Sequence, residues 1–465
     1  MAGKQLLSMP LRDLADGLRS RDMTAESLVE ASIEASKDCD NRAYISWRPE
    51  PALELARAAD QVKAAGGSTG PLMGIPVSVK DMFGVSGFPT YAGCARALPK
   101  SWEAEGPLVR ALQSQLAPVV GKTHCVEFAF GGLGTNAHWP TPQNPWCKNE
   151  HRVPGGSSSG AGVSLINGTA ALALGTDTAG SVRVPAAMTG VAGLKTTGGR
   201  WSTRGIVPLS STLDTPGLLA RRVEDLAFAF EALDPMLARR GAGIPASPDL
   251  SHLTLGVPDG FFWENCSPGI AETVEATLKQ LEAAGARLVK FELSGLATVH
   301  SMFLKGGVAA PELAALIREE LPDYRSSLDP DVAARLHKAE GLPAWEYIQR
   351  RTLIDRLSAQ AAEELSTVDA LLTPTVTLTP PTVSSLADPD AYVAANMQVL
   401  RNTAVANYLG LCGLSLPVGF DSMGLPVGLQ LLMGPWREER LLAVGQAVER
   451  CLGTGPDIMG LAPAD

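Results

Sequence analysis

The chain has no run of the ~18 consecutive apolar residues that a membrane-spanning helix needs, so no span is expected. Residues 1–20 lack an apolar core followed by a small-residue cleavage site, so no secretory signal is expected either. Cysteine is sparse and unpatterned. Seven cysteines, an odd number with no Cys-x-x-Cys, argue against a disulfide framework and for reduced thiols in a cytoplasmic protein. The six histidines form no His-Glu-x-x-His and no His/Cys cluster, so neither a metal nor another cofactor is expected. Basic residues are outnumbered: 39 Lys and Arg against 49 Asp and Glu leave a net charge of −10 with no basic cluster, which excludes a nucleic-acid surface built on bulk charge. No Pro/Gly/Ser linker, repeat or like-charge block divides the 465 residues, although that length would allow two or three domains.

What is abundant is glycine flanked by hydroxyls, concentrated between Pro154 and Arg222. The stretch opens with Gly155-Gly156-Ser157-Ser158-Ser159-Gly160. An apolar run leads to a second loop, Gly175-Thr176-Asp177-Thr178-Ala179-Gly180-Ser181-Val182-Arg183-Val184-Pro185. Gly193-Leu194-Lys195, Gly205-Ile206-Val207-Pro208 and Leu213-Asp214-Thr215-Pro216-Gly217 follow. Bare hydroxyls between tight glycines suit a place where backbone approaches a reacting group.

Two tempting motifs fail on context. Gly121-Lys122-Thr123 looks like the end of a phosphate loop, but Leu116 stands where the first glycine belongs. Gly156 to Gly160 satisfies Gly-x-Ser-x-Gly, yet the preceding Lys148 to Pro154 is polar and proline-ended rather than a strand.

The remaining pattern alternates strands and helices. Thr24 caps a helix reaching Lys37, and another covers Pro51 to Ala65. Strands are predicted at 75–79, 117–121, 170–174, 254–257, 286–293, 370–373, 414–419 and 427–432. Helices are predicted at 105–115, 159–167, 268–284 and 437–451, with residues 305–365 mostly helical and one more helix starting at Pro185. This is an α/β arrangement with helices on both faces of a sheet. Lys80 closes the 75–79 strand; taken alone it reads as a lysine reaching back to solvent. Phe130 to Asn136 reads as a glycine-rich loop over a pocket. His124, His138 and His151 lie near the motifs without an Asp partner and read as structural.

Together the motifs resemble the amidase signature family. The resemblance includes Gly74-Ile75-Pro76-Val77-Ser78-Val79-Lys80-Asp81, Glu127 to Gly132, Asn144-Pro145-Trp146, Leu371 to Thr375 and Gly424 to Gln430, and spans roughly residues 20 to 450. It implies one domain, 1–465, on a large twisted mixed sheet, with the signature core at about 70–235 and the helices of about 300–365 over the active-site mouth. It implies a Ser-cisSer-Lys relay: Ser181 the nucleophile, Ser157 the bridge across a cis Gly156–Ser157 peptide, and Lys80 the base. The N–H groups of Thr178, Ala179, Gly180 and Ser181 would form the oxyanion hole. Phe130, Gly131 and Gly132 would line the acyl side, with Asp177, Arg183 and Ser158 in support. The chemistry is coherent, because a desolvated lysine loses proton affinity and becomes neutral near working pH. Ala179 departs from the family's usual glycine, so either it keeps a negative φ or the loop is strained.

The resemblance implies a hydrolase of linear C–N bonds. A free-standing amidohydrolase, monomer or homodimer, is favoured by Ser327 to Arg351. The alternative is the glutaminase subunit of a tRNA-dependent amidotransferase, whose usual Arg-Phe-Asp-Gly pattern is absent. The apolar loops Phe128 to Gly134 and Met82 to Val85 favour small, neutral, partly hydrophobic amides, with esters and carbamates as further substrates. Charged substrates are expected to be poor, because no free cation is identifiable in the motifs.

Overall fold

Short apolar segments pair into one eleven-stranded sheet in the computed structural model, which describes residues 3–39, 42–460 and 462. The strands are β1 (Tyr44–Trp47), β2 (Val77–Lys80), β3 (Val119–Thr123), β4 (Leu172–Asp177), β5 (Ala192–Lys195), β6 (Thr215–Ala220), β7 (Thr254–Pro258), β8 (Arg287–Phe291), β9 (Ala370–Pro374), β10 (Cys412–Phe420) and β11 (Pro426–Met433). Their order is β1-β3-β2-β4-β6-β5-β10-β11-β9-β7-β8. The sheet is mixed, as predicted. β2 runs parallel to β3 and β4, and β7 runs parallel to β8 and β9, while the other neighbours are antiparallel.

The connections explain the directions. The Pro107–Ser114 helix lies in the crossover from β2 to β3, and the Ser159–Ile166 helix in that from β3 to β4, which keeps these strands parallel. β10 and β11 are joined by a tight turn in which the Asp421 carboxylate accepts from Met423 N and Leu425 N, so they fold back antiparallel. Every residue of β2 and β4 is buried, as expected for strands covered on both faces.

Most predicted elements exist, with shifted edges. β2 and β3 start two residues later than expected because Pro76 and Pro118 have no N–H for the ladder; the first donor is Val77 N, to Pro118 O at 2.8 Å. The helix after Thr24 runs Ala25–Lys37 with a reciprocal cap between Thr24 and Ser27. The expected start at Pro185 moves back to Arg183, because Asp177 satisfies the helix's first amides. Three strands (β1, β5, β6) and the long Pro389–Tyr408 helix were not expected.

Two short helices beneath the glycine loops are wholly interior: Arg183–Thr189, and Ser159–Ile166 up to Leu165. They cross closely at Gly162, where a Cβ would sit 2.0 Å from Thr189 Oγ1. The parallel register of β2 and β4 sets Val79 beside Leu174, so their C-terminal ends present Lys80 next to Thr176 and Asp177. Loops leaving the carboxyl ends of parallel strands are where α/β proteins build sites.

Candidate active site

Lys80 is fully buried, and its ammonium does not snorkel. Nζ donates to Ser157 Oγ at 2.7 Å, Thr176 Oγ1 at 2.7 Å and Thr176 O at 3.4 Å. All three partners are uncharged. Burial therefore pushes its pKa down to about 8, against a weaker upward pull from Cys125, Asp214 and Asp177. Lys195 is also buried and held near 8, but among the described residues it donates only to the Thr196 and Leu411 carbonyls, with no hydroxyl partner.

The two serine loops meet through backbone. Ser158 N donates to Ser181 O at 3.2 Å, and the Ser158 hydroxyl donates to Thr176 O at 3.4 Å. The Gly156–Ser157 peptide is cis, in agreement with the resemblance. Ser157 and Ser158 are inaccessible, while Ser181 lines a cavity. No hydrogen bond joins the Ser157 and Ser181 hydroxyls in this structure; the loops are adjacent and that link is open.

Asp177 fixes the loop that carries Ser181. Its carboxylate binds Arg183 twice, at 3.0 Å to Nε and 2.8 Å to Nη2, with both side chains inaccessible. It also accepts from Gly180 N at 2.8 Å, Val182 N at 3.1 Å and Asn407 Nδ2 at 2.9 Å. Burial alone would raise its pKa, but Arg183 and these donors hold it well below the usual carboxylate range. Arg183 completes its set with Gln430 Oε1 and Asn407 Oδ1, each at 2.7 Å.

Two expected roles are corrected. Gly180 is not a free oxyanion donor, because its amide is taken by Asp177; Thr178, Ala179 and Ser181 line the cavity and Gly180 does not. Gly132 is not a wall residue. Its N–H donates to Asn396 Oδ1 at 2.7 Å and its carbonyl accepts from Gly156 N at 2.7 Å, so it braces the cis-peptide loop. A Cβ there would meet Leu400 Cγ at 2.6 Å. Phe130 and Gly131 do line the cavity. Ala179 is outside the left-handed region; Gly180, at φ +135°, takes the demanding conformation, so alanine is accommodated without strain.

Four contributors were not anticipated. Thr176 is the second hydroxyl on Lys80. Asp214 accepts from Thr178 Oγ1 at 2.5 Å and from Leu209 N and Ser210 N, and burial raises its pKa to about 6. The Pro389–Tyr408 helix supplies Asn396, Thr403 and Asn407; Thr403 donates to Ala179 O at 2.7 Å. Glu312 accepts from Ser210 Oγ at 2.6 Å and Tyr347 OH at 2.7 Å, tying the 300–365 helices to the nucleophile side.

The cavity is about 580 Å³. Leu209, Leu213, Phe303, Met397 and Leu400 give it an apolar interior. Lys305, Arg335, Lys338 and Arg350 stand on its wall against one carboxylate, Glu346. The sequence reading found no such cations, because a lysine or arginine on a predicted helix carries no sign of the face it occupies.

The histidines stay out of the relay. His124 is buried and its pKa is pushed down to about 4, His138 Nε2 lies 3.1 Å from Glu127 Oε1, and His151 Nε2 lies 3.0 Å from Thr141 O. Among the described residues no group of three or more His, Cys, Asp or Glu side chains is arranged to hold a metal ion, and no helix is long and apolar enough to cross a membrane.

Comparison with known proteins gives the family. The family model described as Amidase matches residues 27–442. The 2-amino-5-chloromuconic acid deaminase of Comamonas testosteroni is 49% identical over 454 residues, covering 97% of this chain and 98% of that one. A glutamyl-tRNA(Gln) amidotransferase subunit from Chloroflexus aurantiacus is 32% identical over 489 aligned positions, covering 93% of this chain and 94% of that one. A crystal structure of an amidase superposes with a TM-score of 0.84 at 29% identity, covering 96% of this chain and all of that one. With a family model matched over residues 27–442 and a relative 49% identical over nearly the whole chain, the chain belongs to the Amidase family and is a hydrolase of carbon–nitrogen amide bonds.

Proposed function

We propose that the chain hydrolyses small amides through an acyl-enzyme on Ser181, with Ser157 as the bridge and Lys80 as the base. The observation that carries this is the 2.7 Å contact between Lys80 Nζ and Ser157 Oγ, both side chains fully buried, with burial lowering the lysine pKa to about 8. Neutral Lys80 takes the Ser157 proton, and Ser157 takes that of Ser181. Ser181 Oγ attacks the carbonyl carbon. The amides of Thr178, Ala179 and Ser181 receive the oxyanion, one such donor being worth roughly 2.7–4 kcal/mol. Collapse breaks the C–N bond, and the proton returns along the same chain to the leaving amine. Water then attacks the acyl-enzyme and restores Ser181. The Ser157–Ser181 link, open here, closes with substrate, as catalytic hydrogen bonds commonly tighten only in the complex.

The apolar interior supports acyl groups with a hydrophobic body, aryl or alkyl, and the same path accepts esters and carbamates. The expectation of neutral substrates rested on the lack of a free cation. The cationic wall favours a second reading, in which the substrate carries an acid group. The relative from C. testosteroni is named for an action on an acid, which leans the same way.

A free hydrolase is favoured over the glutaminase subunit. The relative at 49% identity is named as a deaminase, and the amidotransferase subunit lies at 32%. Buried free thiols at Cys94, Cys125 and Cys412 fit a reducing cytoplasm. Hydrolysis of a panel of simple amides by the purified chain alone tests the reading. Activity lost in Ser181→Ala supports it, and activity only in the presence of a partner protein supports the subunit.

A further inference from the structure

The cation that matters most on the cavity wall is Arg335. It lies on the Pro330–Glu340 helix, half-buried, with its guanidinium carbon 4.0 Å from the centroid of the Phe130 ring. It donates to two backbone carbonyls, Phe130 O and, at 3.2 Å, Asp331 O. Among the described residues no carboxylate forms an ion pair with it. The nearby acids are engaged elsewhere or stand off. Asp329 caps the helix, accepting from Asp331 N at 2.9 Å and Ala137 N at 3.2 Å, and Asp331 presents only its carbonyl to Arg335. Arg350, by contrast, is paired with Glu346 at 2.6 Å. Lys338, one turn along the helix and exposed, also faces the cavity. So the wall carries four cationic side chains against Glu346, and Asp329 and Asp331 act on Arg335 only at a distance, without an ion pair, in a chain whose net charge is −10. Phe130, on which Arg335 stacks, and its neighbour Gly131 line the same cavity as Ser181.

We propose that Arg335, assisted by Lys338, anchors a carboxylate on the substrate, so that the preferred substrates are amide-type compounds with an apolar body and a terminal acid. This rests on Ser181 hydrolysis as proposed above and adds the substrate class. Binding a carboxylate here replaces a half-desolvated, unpaired cation by a charge-assisted pair, and a planar guanidinium has donors left for it beyond the two carbonyls. The apolar interior holds the intervening carbon chain.

The test uses the full chain and matched substrates: succinanilic acid against butyranilide, which carries a methyl in place of the carboxylate, and the homologous glutaric pair. The readout is the ratio of kcat/KM for acid over neutral anilide within each variant, so that a shared loss cancels. The wild type is expected to favour the acid by about tenfold or more, and Arg335→Met to lower that ratio about 10- to 100-fold. Arg335→Lys keeps a charge and is expected to retain part of the ratio. A ratio within about twofold of wild type in Arg335→Met overturns the proposal. Calorimetry of succinanilic acid with Ser181→Ala and with Ser181→Ala/Arg335→Met reads the anchor without turnover. Weaker binding on loss of Arg335, with the wild-type chain hydrolysing neither anilide, would retain the anchor and remove the proposed Ser181 hydrolysis of these substrates. Equal binding would remove the anchor whatever the turnover.

Discussion

Lys80 Nζ and Ser157 Oγ lie 2.7 Å apart with neither side chain exposed to solvent. A lysine can act as a base there only when neutral. Its pKa is lowered from 10.5 to about 8 by burial, so the neutral form accumulates as pH rises through about 8. The expected kcat/KM profile climbs through neutral pH, has its midpoint near pH 8 and levels above it. A rate that peaks near about pH 5 and falls above it would assign the base to a carboxylate.

Thr176 bears on that midpoint through its hydrogen bonds to Lys80. Its hydroxyl and carbonyl accept from the ammonium and favour the charged form. Thr176→Val removes the hydroxyl at nearly constant volume. The midpoint is expected to move below the wild-type value, and the alkaline plateau to fall roughly tenfold as Lys80 loses its orientation. An unchanged profile would mean that Ser157 alone positions the amine.

If Lys80, Ser157 and Ser181 act as one relay, as proposed, their losses do not add. Ser181→Ala is expected to abolish turnover, and Lys80→Ala and Ser157→Ala each to cost on the order of 10³-fold or more. The double variant Lys80→Ala/Ser157→Ala should be no slower than the worse single variant. Additive losses, measured as kcat/KM on one amide, would separate the two residues into independent roles.

The Asp177–Arg183 pair is a stability element as well as a loop brace. Both side chains are inaccessible, and removing one leaves the other charged and buried. Arg183→Met is expected to cost roughly 3–5 kcal/mol in urea unfolding. A loss below about 1 kcal/mol would show that Lys195 or water compensates Asp177.

The sequence was most informative where chemistry is local. Lys80 at a strand end, the two hydroxyl loops and the Asp177–Arg183 spacing all lie within short motifs, and the fold sets Lys80 against Ser157 and Asp177 against Arg183. It was least informative where the site is assembled from distant chain. Asn396, Thr403 and Asn407 come from a helix more than 200 residues beyond Asp177, and that helix is buried along much of its length rather than striped, so periodicity did not reveal it. β5 and β6 were hidden because Gly193, Thr215, Pro216 and Gly217 read as turn formers, yet the strands form in the interior where neighbours override propensity. Gly132 belongs to the apolar loop by sequence but faces Leu400, a contact only the fold supplies.

The central claim is that Ser181 is the nucleophile, and covalent labelling tests it most directly. A fluorophosphonate should phosphonylate the chain once. Cleavage before Asp177 and after Arg183 releases a peptide, Asp177 to Arg183, whose only serine is Ser181, free of Ser157, Ser158 and Ser159. The account predicts the added mass on that peptide, loss of labelling in Ser181→Ala, and slower labelling in Lys80→Ala. Stoichiometric inactivation with the mass on any other peptide would contradict it.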